Sequence, residues 1–134
     1  MASVRAAIWT KAMKQHETGT NVYKTASVAT VRITISMAGS VDTARETCRQ
    51  FCFDEKWCVT VKECDYVYTG GMESGFEIGI VNYPRFPSTY EELHEKAERL
   101  AVRLMATCCQ WSALIVDASG TKWLSRKPEH MEEH

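Results

Sequence analysis

Arg99 and Arg103 are the most chemically suggestive pair in this chain of 134 residues. They lie in a segment whose apolar residues Leu93, Ala97, Leu100, Ala101, Leu104 and Cys108 recur at helical spacing. Residues four apart on a helix are neighbours, and the Glu92/Lys96 and Glu95/Arg99 spacings suit ordinary surface ion pairs. Arg103 departs from that pattern, because its neighbours one turn away are Arg99 and Thr107. Two guanidinium groups so placed repel unless an anion lies between them, and their forked N–H donors suit phosphate or pyrophosphate. The alternative is a solvated face or a salt bridge to another subunit. Asn82 precedes a proline-bounded turn, where its carboxamide can cap the turn or read a base edge or ribose. Arg85 sits between Pro84 and Pro87, as a turn charge or a ligand contact. The glycine-rich stretch Gly70–Gly75 can wrap a small ligand; it contains Met72 and is followed by Phe76.

The residues of a catalytic or metal site are harder to find. His94 is the only histidine inside the expected fold; it lies on the long helix between Glu91 and Glu95 and reads as an exposed helix residue. His16, His130 and His134 fall outside it. No G-x-S-x-G, H-E-x-x-H or Walker-type loop occurs. The cysteines are spaced Cys48, Cys52, Cys58 and Cys64, then Cys108 and Cys109. None forms a C-x2-C knuckle, and none has a histidine at ligand spacing. They are expected to be reduced, buried small apolar residues. No catalytic residue, metal ligand or cofactor is assigned.

Composition narrows the classes further. The net charge of -1 lacks the basic surplus of a non-specific DNA or RNA coat. With 45% hydrophobic residues the chain can build one core. No apolar run approaches a bilayer span, and the first residues lack a signal-peptide block. A cytoplasmic protein that binds no membrane is expected.

The elements that must position these residues follow from periodicity. Val28 to Met37 alternates, with Val31, Ile33, Ile35 and Met37 on one face. Ser40 or Asp42 can cap a helix running to about Glu55, with Ala44, Cys48, Phe51 and Cys52 on its apolar face. Cys58 to Tyr68 reads as a strand, Thr69–Gly75 as a hairpin loop, and Phe76 to Asn82 as a third strand. Ser88 or Thr89 caps the long helix, whose first turn holds Glu91 and Glu92. Trp111 to Asp117 is a fourth strand and Thr121 to Ser125 a short fifth. Residues 1–27 form an arm or short helix, 28–126 a single domain, and 127–134 a flexible tail. The order β-α-β-β-α-β is the ferredoxin-like α+β pattern: an antiparallel sheet with two helices on one face. The other face is wet or covered by a partner. Its positions Thr30, Arg32, Thr34, Ser36, Glu77, Gly79 and Val81 hold no aromatic residue, which speaks against base stacking by RNA.

The run Tyr68-Thr-Gly-Gly71, then Asn82-Tyr-Pro-Arg-Phe-Pro87, then a helix bearing Arg99 and Arg103 resembles the phage-encoded Thoeris anti-defence sponges of the first-described type. The resemblance covers roughly residues 28 to 126. It implies a protein without catalytic activity that binds a cyclic ADP-ribose isomer in the cytoplasm of the infected bacterium. Sequestering that signal blocks the defence. The resemblance also implies a homo-oligomer of dimers assembling into hexamers, pockets at a subunit interface, and a second site for cyclic oligonucleotides. Carried onto this chain, Asn82 contacts the nucleotide, Arg99 and Arg103 hold its phosphates, and Met72 or Phe76 stands where the family uses an aromatic near the hairpin. Two other readings stay open: a small phosphodiesterase acting on a related nucleotide with His94 involved, and a phage inhibitor that binds a host protein directly.

Overall fold

The computed structural model describes residues 14–18 and 21–131. The helix considered within residues 1–13 lies outside the described residues. Two strands, β1 (Lys14–Thr18) and β2 (Asn21–Thr25), pair antiparallel as a separate two-stranded sheet. Part of the expected arm is therefore a pair of antiparallel strands.

The main domain runs β3 (Arg32–Ala38), α1 (Val41–Glu55), β4 (Thr60–Tyr68), β5 (Gly71–Val81), α2 (Tyr90–Thr107), β6 (Ser112–Asp117), β7 (Gly120–Ser125) and α3 (Pro128–Met131). The sheet order is β4-β5-β3-β6-β7, with every neighbouring pair antiparallel. This is the ferredoxin-like α+β arrangement, with β7 added as an outer strand.

Local chemistry sets the element ends. Ser40 caps α1 by accepting from the Thr43 amide at 3.3 Å. The helix stops at Lys56, whose left-handed φ of 53° lets its amide reach the Cys52 carbonyl. Thr89 opens α2 with a reciprocal box: its hydroxyl accepts from the Glu92 amide at 3.1 Å, and Glu92 Oε1 accepts from the Thr89 amide at 2.8 Å.

Alternation then decides which face is buried. Ile33, Ile35, Phe76, Ile78, Ile80, Ala113 and Ile115 point from the sheet into one core, against Ala44, Cys48 and Phe51 of α1 and Leu93, Ala97, Leu100, Ala101 and Leu104 of α2. Each fully buried large aliphatic or aromatic side chain contributes roughly 1.5–3 kcal/mol. Of the cysteines, only Cys48 is fully buried; Cys58 and Cys109 are exposed, against the expectation of burial throughout. Burial pushes the Cys48 thiol up to about 12, which keeps it protonated.

The glycine-rich loop expected over Thr69–Gly75 is mostly strand, because β5 begins at Gly71. A Cβ on Gly75 would lie 2.5 Å from Tyr66 Cε2 and 2.5 Å from the Met37 carbonyl oxygen, so this position admits no side chain. The Tyr66 ring covers it instead. Since β3 pairs only with Gly75–Val81, the β4–β5 hairpin projects beyond the rest of the sheet. At the other end, residues 128–131, expected in a flexible tail, form a helical turn. The His130 ring there lies 5.0 Å from that of Trp123 and hydrogen-bonds Ser125 Oγ.

Candidate functional site

Both long helices pack on one face of the sheet, and the strand register lays out the opposite face in rows. One row reads Lys62, Glu77, Ser36, Leu114, Trp123; the next reads Thr60, Gly79, Thr34, Val116, Thr121. Arg32 lies beside Val81 one row further on. The face is polar and charged over β4, β5 and β3, while β6 and β7 add the apolar Leu114, Val116 and Trp123 among Ser112, Thr121 and Ser125. Leu114 and Trp123 are both exposed there.

The polar half contains a depression of about 130 Å3, whose lining includes Arg32, Thr34, Thr60, Lys62, Glu77 and Tyr83. Among the described residues, the side chains of Arg32 and Lys62 have no hydrogen-bond or ion-pair partner. Gly79 keeps the floor low, since a side chain there would collide with the Thr60 hydroxyl. Two unpaired cations, several hydroxyls and one carboxylate can hold an anion and a neighbouring hydroxyl or amine. Tyr83 closes one side and donates to Cys58 Sγ at 3.2 Å, which raises its own phenol above the usual range. Tyr66 donates to the Phe76 carbonyl at 2.8 Å, and burial first, then its bond to Cys64, keeps it protonated.

The residues singled out from sequence are placed differently. Phe76 is fully buried in the core, so it cannot stack on a ligand. Asn82 is buried, and its carboxamide serves the backbone: Oδ1 accepts from the Ser88 amide at 2.9 Å, and Nδ2 donates to the Ala29 carbonyl at 3.4 Å. It is the turn cap of the two readings. The turn it closes is bridged by Phe86 N donating to the Tyr83 carbonyl, and Arg85 lies over the Phe86 ring at 5.6 Å. Met72 is exposed on the projecting hairpin.

Arg99 and Arg103 do meet negative charge, but it is the protein's own. Arg99 pairs with Glu55 and Glu95, and Arg103 Nη1 lies 3.6 Å from Asp54 Oδ2. Both guanidinium groups also sit over the Phe51 ring. Their mutual repulsion is relieved without a phosphate, which removes the physical case for an anion between them. Arg99 lies nine residues into α2, roughly 13 Å along its axis from Tyr90, whereas Asn82 precedes the helix. Within one chain the three do not converge.

His94 also differs from the expectation of an exposed helix residue. It is half-buried, with Nε2 at 3.9 Å from Asp117 Oδ2. Asp117 accepts from the Tyr90 hydroxyl at 2.7 Å and from the Ser119 amide and hydroxyl at 2.8 and 2.7 Å. Those bonds, Tyr90 first, hold its carboxyl down at about 2. The cluster fastens the β6–β7 turn to the start of α2.

Sequence reasoning placed Arg32, Thr34, Glu77 and Gly79 on the outward face but did not join them to Lys62, Thr60 and Trp123. Alternation within each strand was visible; the register that sets Lys62 opposite Glu77 and Trp123 opposite Leu114 was not. The two central strands lack outward aromatics, as read, while β4 brings Tyr66 and β7 brings Trp123 to that face.

No protein-family model matches the chain, and no curated protein matches it. Solved structures do. A phage SAM lyase in its apo state matches with a TM-score of 0.51 and 14% identity, covering 73% of this chain and 89% of that one. A phage SAM lyase in complex with S-methyl-5'-thioadenosine matches with a TM-score of 0.53 and 10% identity, covering 78% of this chain and 96% of that one. At identities this low, the likeness establishes a shared fold.

Proposed function

We propose that this chain is a phage-encoded binding protein that holds an adenine nucleotide on the open sheet face and does not turn it over. In that role it sequesters a cyclic ADP-ribose-type signal and keeps Thoeris defence silent. The observation that carries the reading is a pair of cations, Arg32 and Lys62, whose side chains have no partner among the described residues, lining a polar depression. Trp123 lies two strands and two rows from Arg32, on the order of 16 Å away at the usual strand and residue spacing. An extended nucleotide with its phosphates approaches that span: the base stacks on the indole, and Arg32 and Lys62 take the anionic end. The fold shared with a phage protein bound to S-methyl-5'-thioadenosine supports an adenine nucleoside. The sequence resemblance supports the cyclic ADP-ribose isomer. A sponge with a dissociation constant of about 10 nM needs roughly -11 kcal/mol, which a preformed site with two charge-assisted contacts and base burial can supply.

The likeness to phage SAM lyases favours a second reading, an enzyme acting on SAM. One experiment separates the two. The protein is incubated with a cyclic ADP-ribose isomer or with excess SAM, then denatured, and the small molecules are recovered and separated. Intact cyclic nucleotide at one per subunit supports the sponge. Catalytic loss of SAM supports the enzyme. If neither compound is retained or altered, both readings fail.

A further inference from the structure

The projecting β4–β5 hairpin and a groove beside α1 have complementary chemistry. Val67 and Met72 face each other across the hairpin near its tip and are 75% and 64% exposed. Asp65, two residues from Val67, lies on the same face, whereas Glu73 lies on the other face and accepts from the Tyr68 hydroxyl. The groove lies between α1 and the start of β4. It has a volume of about 300 Å3, with Cys52, Trp57, Val59 and Val61 as its apolar lining and Arg45 and Arg49 among its lining cations. An adjoining hollow of about 470 Å3 shares Arg49 and Cys52 and adds Phe53, which is 79% exposed. The arginines pair with Asp42 and Glu46 on the same helix, but those exposed i,i+3 pairs are weak and leave guanidinium donors free.

Tip and groove lie at opposite ends of one strand. Val61 and Val67 are six residues apart along β4, about 20 Å in extended chain, so the two surfaces cannot meet within one molecule. We propose that the hairpin tip of one copy docks into the α1–β4 groove of a second copy. Val67 and Met72 fill the apolar hollow, and Asp65, on the same face, meets the cations Arg45 and Arg49. Such a contact is heterologous and repeats head to tail until a ring closes. Symmetric pairing of the free β4 edges is disfavoured. The three central registers, centred on Glu63, Cys64 or Asp65, each place acidic side chains opposite one another.

The test is sedimentation of the full chain at micromolar concentration. The wild type is expected as a discrete oligomer. Val67→Asp/Met72→Asp, which spoils the tip, and Arg45→Glu/Arg49→Glu, which spoils the groove, are each expected as monomers. Mixed together they should form a one-to-one pair, because each supplies the half that the other lacks. Circular dichroism checks that both variants fold, and Met72→Lys alone serves if the double tip variant does not. A monomeric wild type, an oligomer that survives either change, or variants that fail to pair when mixed would overturn the proposal. Nucleotide retention by the wild type is a separate readout, so failure here leaves the sheet-face reading standing.

Discussion

The two terminal nitrogens of Arg99 donate to the two carboxylate oxygens of Glu55, both at 3.0 Å, across 44 residues of sequence. Nε of the same side chain donates to Glu95 at 2.9 Å. The guanidinium thus ties the end of α1 to the middle of α2. It also holds the Glu55 carboxyl below the usual carboxylate range, chiefly through that hydrogen bond.

This arrangement predicts a modest stability role for Arg99. Both partners are partly solvated, so Arg99→Ala should cost about 1 kcal/mol or less in urea unfolding. Because the folded pKa of Glu55 is depressed, its contribution is present above its unfolded value of 4.5 and fades as pH falls through the folded value. The gap between wild type and variant should therefore narrow in acid. Arg103→Glu should leave nucleotide retention unchanged. Loss of retention would return the site to α2.

Affinity should instead follow the open sheet face. Arg32→Ala and Lys62→Ala should each weaken nucleotide binding by about 1.5–3 kcal/mol, the scale of a hydrogen bond to a charged group. Trp123→Ala should cost about 1–3 kcal/mol if the base stacks there. Calorimetry measures all three. Unchanged dissociation constants would show that the ligand lies elsewhere.

Asn82 gives the opposite pattern. Asn82→Leu leaves the buried Ser88 amide without its acceptor and should destabilise the fold by about 1–3 kcal/mol. Binding by the folded fraction should persist. A variant of normal stability that had lost affinity would make Asn82 a ligand contact.

Asp117 predicts a pH window. Its folded pKa, about 2, lies below the ordinary 3.8, so its stabilising effect is present above 3.8 and is lost as pH falls toward 2. Thermal unfolding of Asp117→Asn should show a flatter acid limb over that range than the wild type. Equal acid slopes would mean that the Tyr90 and Ser119 bonds do not favour the ionised form.

The elements were legible because each depends on residues close in the chain. The alternation of Ile33, Ile35 and Met37, the stripe from Leu93 to Leu104 and the cap at Thr89 are periodic or local signals, and they specified a ferredoxin-like fold. The stretch Thr69–Gly75 misled because glycines at hairpin positions usually mean loop. Here Tyr68 and Tyr66 of the neighbouring strand occupy the space above Gly71 and Gly75, which no local pattern reveals.

For the candidate site, the chain itself determined which residue types were on hand and which strand faces they occupied. Tertiary structure decided which of them met. The arginines four apart on α2 looked mutually repulsive only until the end of α1 brought Glu55 and Asp54 to them. Phe76 and Asn82 were drawn into the core and the turn. Arg32, Lys62 and Trp123, on three different strands, became one surface through the antiparallel register. Charge pairing and strand register act between segments far apart in sequence, so their outcome is set by packing of the whole domain.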